Sequence, residues 1–430
     1  MKRDKIEELK TWKASRDRKP LIVRGARQVG KTWLIREFGE QEYDNCVYVN
    51  FEDANIVKEV FTADFDIDRI IQTLEIYSQQ KILTEKTLII FDEIQEAPRA
   101  ITSLKYFYEK APKYHIIAAG SFLGMGLHGN VSFPVGKVNF MNLRPLSFRE
   151  FLIALGEELL AKAVTDCDWS LVSPFTGKLI NYLKTYYYVG GMPEVVRAYV
   201  ETKDFALVRS KQNDILKSYV ADFSKHAPTE VIARINLVWR SIPAQLAKEN
   251  KKFIYGVIRE GARAKDFELA IQWLCDTGIL LKSNRISKPH IPLIAYEESA
   301  VFKLFLLDVG LLSAMCFLDT TILLEKSKIF TEFKGALTEQ YVLQELRNNE
   351  DSYIGYWTND KSTAEVDFIV QSANKVIPIE VKAETNVRSK SFRYFYDKYQ
   401  PERAVRSSML PYSKESWLDN IPLYGVSTIK

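Results

Sequence analysis

Sulfur and imidazole are scarce in this chain: four cysteines and four histidines stand among 430 residues. Cys46, Cys167, Cys275 and Cys316 are scattered, without the paired spacing of a zinc or dithiol site, which argues against a zinc centre or a disulfide framework. Long apolar runs are missing too. The best, such as Thr87–Phe91, have the length of a strand and not of a bilayer span. Met1-Lys2-Arg3-Asp4-Lys5 lacks the apolar stretch of a secretory signal, so the expectation is a cytoplasmic protein without membrane contact. Neither a fixed-period repeat nor a low-complexity tract is visible, which excludes solenoids and disordered linkers as the organising feature. Charge of one sign is also lacking: 59 Lys/Arg against 55 Asp/Glu leave +4, which becomes informative only when divided along the chain.

What remains is ordinary globular composition, 47% hydrophobic and 27% charged, in a chain too long for one core. From Pro20 to about Glu150, short apolar strands alternate with helical segments, the pattern of a parallel α/β sheet. Strands are predicted at Leu21–Arg24, Cys46–Phe51, Leu88–Phe91 and His115–Ala119. Phe151 to about Lys225 reads as helical, interrupted near Ser173-Pro174 and at Gly190-Gly191-Met192-Pro193. Beyond Ala227, helices precede two short strands, and Phe330 to Lys430 begins with a helix and enters a hairpin. The expected divisions are therefore 1–150, 151–225, 226–329 and 330–430.

Gly25-Ala26-Arg27-Gln28-Val29-Gly30-Lys31-Thr32 matches GxxxxGK[ST] between a predicted strand and a helix marked by Lys31, Leu34, Ile35 and Phe38. Glycines at the two ends let backbone N–H groups turn inward around phosphate oxygens, and the helix N-terminus adds partial positive charge. Lys31 would reach the β- and γ-phosphates of ATP, and the Thr32 hydroxyl would ligate Mg²⁺. Four apolar residues, Leu88 to Phe91, then end on Asp92-Glu93 at the carboxyl edge of the sheet, where ligands bind. Asp92 would complete the Mg²⁺ shell and Glu93 would polarise an attacking water. Alternatively, both cap the helix that follows. Ser121, at the exit of the 115–119 strand, is placed either to sense the γ-phosphate or simply to turn the chain. Lys137, Arg144 and Arg149 lie downstream, but none can be assigned as an arginine finger.

In the middle, Phe267, Ala270, Ile271 and Leu274 form the apolar stripe of a helix stopped by Gly278. A strand at Ile279–Lys282 follows, then a loop carrying Lys282, Arg285 and Lys288. Helix, strand and basic loop in that order suggest a winged helix-turn-helix. Between Phe205 and His290 stand fifteen Lys/Arg and eight Asp/Glu, an excess of +7 that suits a segment neutralising DNA or other nucleic-acid phosphates. Winged helices also dock proteins, and Asp266 and Glu268 on the reading helix oppose tight groove binding.

Glu380-Val381-Lys382 draws its interest from geometry. With Ala373-Asn374 as a two-residue hairpin loop, Asp367 falls opposite Glu380 and Glu365 opposite Lys382. One face is then apolar (Val366, Phe368, Val370, Ile377, Ile379, Val381), which fixes the register by burial. Facing carboxylates repel unless a cation lies between them. A Mg²⁺ would serve, with Lys382 orienting a water; otherwise Lys382 pairs with Glu365 at the surface and the acids face solvent. In the helix predicted at Gly335–Leu346, Glu339 shares its face with Val342, Leu343 and Leu346, so it points at the sheet. Glu339, Asp367, Glu380 and Lys382 together outline a PD-(D/E)xK nuclease core.

The ordered set of Gly25–Thr32, Phe91-Asp-Glu-Ile-Gln95, Leu146-Ser-Phe-Arg-Glu-Phe151, Gly190-Gly-Met-Pro193, Phe302–Gly310 and Glu380-Val-Lys382 resembles the prokaryotic AAA-type P-loop ATPases with a C-terminal domain of unknown function. The resemblance implies a fold: an AAA-type P-loop NTPase parallel sheet, a helical and winged-helix middle, and a C-terminal α/β restriction-endonuclease-like domain. Gly136-Lys137 stands where Gly-Arg is expected in such proteins. Two functions stay open: an ATPase acting on nucleic acid with a metal-dependent nuclease-like end, or an ATP-switched scaffold whose inactive C-terminal domain docks a partner. Oligomeric state is not assigned by sequence.

Overall fold

Short apolar runs alternating with amphipathic helices produce a parallel sheet near the N-terminus, as the pattern predicts. The computed structural model describes residues 1–121, 133–248, 251–320, 331–359, 363–384 and 389–429, the side chains of Thr331 and Glu332 excepted. Contacts divide these into two units: Lys2–Arg144 with Asp276–Gly278, and Met1, Pro145–Cys275 and Ile279–Lys430. The division expected at 329/330 lies outside the described residues.

In the first unit, β1 (Leu21–Arg24), β2 (Asn45–Asn50), β3 (Thr87–Asp92), β4 (His115–Gly120) and β5 (Asn139–Asn142) form one sheet in the order β2-β3-β4-β1-β5. Every neighbouring pair is parallel. β3 and β4 are buried along their whole length, as strands covered on both faces must be. The helices Asn55–Ala63, Ile67–Ser78 and Pro98–Lys110 turn their apolar stripes inward, and Phe51, Phe61 and Phe91 meet with ring centroids 5.4–5.8 Å apart. Because β1, β3 and β4 run the same way, their last residues deliver Gly25, Asp92 and Ser121 to one sheet edge. β5 was not expected. It is an edge strand in which only Met141 is buried, and Phe140 lies exposed beneath the Arg24 guanidinium.

The second unit begins helically, with Phe148–Ala154, Thr176–Val189, Pro193–Thr202, Phe205–His226 and Thr229–Leu246 among its helices. Among the described residues its strands are β6 (Leu280–Ile286), β7 (Glu297–Leu306), β8 (Ser352–Thr358), β9 (Glu365–Ser372), β10 (Lys375–Val381), β11 (Val405–Ser408), β12 (Ser413–Lys414) and β13 (Asp419–Pro422). They form a single mixed sheet, β12-β13-β11-β10-β9-β8-β6-β7. The β6–β7 hairpin joins it through the Arg285–Tyr356 bridge, where Gly355 lets the backbones close: a Cβ there would stand 2.6 Å from Ile286. A Lys288 loop is present, but Lys282 and Arg285 lie on β6 instead. Lys282 covers the Phe302 ring, and Arg285 pairs with Glu298 at 3.2 Å, because the strand runs four residues beyond the predicted Lys282 end.

Three of the motif segments meet in this unit. Ser147 and Glu150 form a reciprocal capping box, and the Leu146 N–H donates to Gly191 O at 2.7 Å. Asp308 accepts from Gly191 N at 2.6 Å and Leu311 N at 2.9 Å. A Cβ on Gly191 would stand 2.1 Å from Leu146 O, so the close approach requires glycine. Burial pushes the Asp308 carboxyl up to about 6 against the pull of those N–H groups.

Candidate functional site

The turn from β1 into the helix Lys31–Glu42 is held in a conformation that its sequence was chosen for. Gly25 has φ 151° and faces Leu143 O, which an added Cβ would meet at 2.2 Å. Gln28 adopts φ 66° at the exposed tip, and Gly30 has φ 92° at the helix entry. Ala26 and Val29 are buried beneath the turn, and Arg27 is half-buried. Arg3 reaches across from the N-terminal segment and donates to Val29 O at 3.1 Å and Arg144 O at 2.6 Å, fixing the turn from behind.

Lys31 is buried. Its ammonium donates to Gly25 O and Ala26 O, both at 2.9 Å, and to Ser121 Oγ at 3.0 Å. Burial pulls it down to about 8, outweighing the opposing pull of Glu93 and Asp92. Thr32 Oγ1 donates to Asp92 Oδ2 at 2.7 Å, and Tyr48 OH donates to the same oxygen at 2.8 Å. Asp92 Oδ1 takes the Glu93 N–H at 3.0 Å. Glu93 sits at φ 48°, and its carboxylate accepts from Gln95 Nε2. Every residue expected here from the sequence thus lies at one edge of the sheet. Arg3 and Tyr48 were missed; neither belongs to a motif, and long-range hydrogen bonds leave no local signal. Lys137, considered as a transition-state cation, pairs with Glu109 at 3.0 Å.

These groups suit a magnesium–triphosphate. A desolvated ammonium needs an anion, Thr32 and Asp92 present two hard oxygens side by side, and Gly25 keeps side-chain atoms out of the turn. Residues 17–152 match the family model described as AAA domain. This segment is similar to AAA domains and carries the strand–turn–helix of a phosphate loop. Beyond the AAA domain, residues 180–322 match a domain of unknown function (DUF8612), and residues 334–424 match another (DUF4143). No curated protein matches the chain.

Among solved structures, the Walker-type ATPase of Pyrococcus abyssi is 14% identical with a TM-score of 0.46, covering 73% of this chain and 95% of that one. The Aeropyrum pernix ORC1 protein in complex with DNA gives 13%, 0.28, 73% and 90%. Cdc6p from Pyrobaculum aerophilum gives 12%, 0.25, 72% and 88%. At these scores the overlaps add nothing to the AAA assignment, which rests on the sheet order, the turn geometry and the match over residues 17–152.

The C-terminal carboxylates also come together. β9 and β10 pair from Ser372–Lys375 to Phe368–Ile379 around the Ala373-Asn374 loop, the expected register. Beyond that ladder, Asp367 Oδ2 accepts the Val381 N–H at 2.7 Å. Glu339, on the helix Thr331–Leu346, and Glu380 are both buried, so neither faces solvent. Lysines accompany them. Lys251 Nζ lies 2.7 Å from Glu339, and Lys303 Nζ lies 3.6 Å from Glu339 and 2.5 Å from Glu365. Lys382 pairs with Glu380 at 2.7 Å, and not with Glu365. Burial and the neighbouring Glu339 and Glu380 hold the Asp367 carboxyl well above the usual range. Burial lowers Lys303, but Glu339, Glu365 and Asp367 outweigh it and keep the ammonium charged. Among the described residues, no three His, Cys, Asp or Glu side chains form a group that could hold a metal ion. Lys251 and Lys303 escaped the sequence reading because they come from segments 88 and 36 residues before Glu339.

The basic excess of the middle segment is partly spent on the protein's own groups, at the surface and within. Lys211 pairs with Glu194, Lys251 with Glu339 and Arg285 with Glu298, while Arg209 lies over the Tyr188 ring. Arg234, Arg240, Arg263, Lys265 and Lys288 are exposed.

Proposed function

We propose that the AAA domain binds ATP with Mg²⁺ and hydrolyses it. The observation that carries this reading is the convergence of Lys31, Thr32, Asp92 and Ser121 within hydrogen-bond reach at one sheet edge. The backbone N–H groups of 25–30 and the Lys31 ammonium bind and orient the triphosphate. Thr32 and Asp92 would hold the metal, which supplies Lewis-acid charge to the phosphates when bound. Ser121 reports the terminal phosphate through its contact with Lys31. Glu93, restrained by Gln95, takes a proton from the attacking water. Glu93→Gln tests this: nucleotide binding should persist while phosphate release falls by about 10²-fold or more. Undiminished release would remove the role given to Glu93.

Turnover is coupled to nucleic acid through residues 226–329, read as a winged-helix module. The exposed Arg234, Arg240, Arg263, Lys265 and Lys288 support this, since phosphate contacts need solvent-facing cations. DNA should stimulate phosphate release at low salt and lose that effect as salt rises; a salt-insensitive rate with and without DNA would refute it. The C-terminal 330–430 segment carries the positions of a nuclease-like core at Glu339, Asp367, Glu380 and Lys382. The lysines lodged among those carboxylates favour docking over cleavage as its contribution.

A further inference from the structure

We infer that the chain's own lysines, with Lys303 at the centre, neutralise the C-terminal carboxylate cluster, so that this module takes no divalent cation and cleaves no phosphodiester. A PD-(D/E)xK arrangement implies a magnesium ion, and the residues here do not fit one. Two ammonium groups flank Glu339: Lys251 holds Oε1 at 2.7 Å, and Lys303 stands 3.6 Å from Oε2, an ion-pair distance at which that oxygen takes no hydrogen bond. Glu365 gives one oxygen to Lys303 at 2.5 Å, Glu380 gives one to Lys382 at 2.7 Å, and Asp367 gives one to the Val381 N–H at 2.7 Å. Four carboxyl groups therefore face three ammonium groups, and the charge that would attract a cation is largely spent.

Lys303 cannot simply withdraw. It rises from β7, the edge strand of the sheet, yet is 0% exposed and lies 4.8 Å from the Tyr356 ring centroid. A divalent ion entering the cluster would compete with this ammonium for Glu339 and Glu365, leaving a buried cation unpaired beside a second one. Magnesium also demands a near-octahedral oxygen shell at about 2.0–2.1 Å, which a nitrogen cation this close disrupts. In this arrangement Lys382 is committed to Glu380 instead of to a water. The cluster acts as an ionic core that joins β7, the Thr331–Leu346 helix and the β9–β10 hairpin. The inference does not depend on whether ATP is hydrolysed.

Manganese titration of the full chain without nucleotide, followed by electron paramagnetic resonance of free Mn²⁺, tests it. Wild type should show no site tighter than about 1 mM that Glu380→Gln or Asp367→Asn removes. Lys303→Met, which withdraws the competing charge at similar length, should gain such a site, with at least about tenfold tighter binding. A wild-type Mn²⁺ site lost in Glu380→Gln overturns the inference, as does a folded Lys303→Met that binds no better than wild type. Should Lys303→Met fail to fold by circular dichroism, the wild-type comparison with Glu380→Gln decides alone. The readout involves no ATP, so a failure here leaves the ATPase reading untouched.

Discussion

Binding of a triphosphate to the AAA domain should draw protons from solution, and the amount follows from Lys31. Its ammonium is buried on carbonyl and hydroxyl oxygens and pulled down to about 8 from an ordinary 10.5. The unfolded chain holds that proton more tightly, so this residue costs the fold about 3 kcal/mol at neutral pH, a cost that fades as pH rises from 8 towards 10.5. A bound triphosphate supplies the missing anion and returns the ammonium to full protonation. Proton uptake on binding should then be about 0.1 at pH 7, about 0.5 at pH 8 and about 0.9 at pH 9. Affinity should weaken about fivefold between pH 8 and pH 9, where the terminal phosphate of the nucleotide is already ionised. Calorimetric titration with a non-hydrolysable ATP analogue and Mg²⁺, in two buffers of different ionisation enthalpy, measures the uptake directly. Lys31→Arg, permanently protonated, provides the comparison with no uptake at this position if it retains binding. Uptake that stays flat across this range in wild type would refute the reasoning.

Gly25→Ala should abolish nucleotide binding in a fluorescent-analogue assay, because the new Cβ would stand 2.2 Å from Leu143 O at φ 151°. Binding within about threefold of wild type would show that the turn can rearrange. Glu339→Ala strands the buried Lys251 and leaves Lys303 with Glu365 alone, and should destabilise the second unit by about 3–5 kcal/mol, read as a lower urea midpoint. A loss under about 1 kcal/mol would mean that water already screens them. Tyr48→Phe removes one donor from Asp92 and should weaken Mg-nucleotide binding by about 1 kcal/mol without changing the far-ultraviolet spectrum.

The residues that touch phosphate in the proposed site were legible because a phosphate turn is a local device: its glycines, lysine and threonine are contiguous, and the strand before them is plainly apolar. The β9–β10 register was legible for a similar reason, since alternation between Glu365 and Lys382 admits one pairing that buries one face. What stayed hidden depends on distance along the chain. Arg3 behind the turn, and Lys251 and Lys303 within the carboxylates, carry no mark in their own neighbourhoods. β5 was missed because an edge strand of four residues with an asparagine at each end shows little apolar pattern. Lys282 and Arg285 were placed in a loop because their side chains are polar, whereas β6 absorbs them with an aromatic ring and an acid.

Gly355 has a practical consequence. The two families of unknown function divide the chain between 322 and 334, yet β6 and β8 belong to one sheet whose seam closes only where that side chain is absent. Severing the polypeptide in this interval would bare an unpaired strand on each fragment, inviting self-association. The halves should behave well only when produced together, so neither family is expected to be a freely portable cassette in this protein.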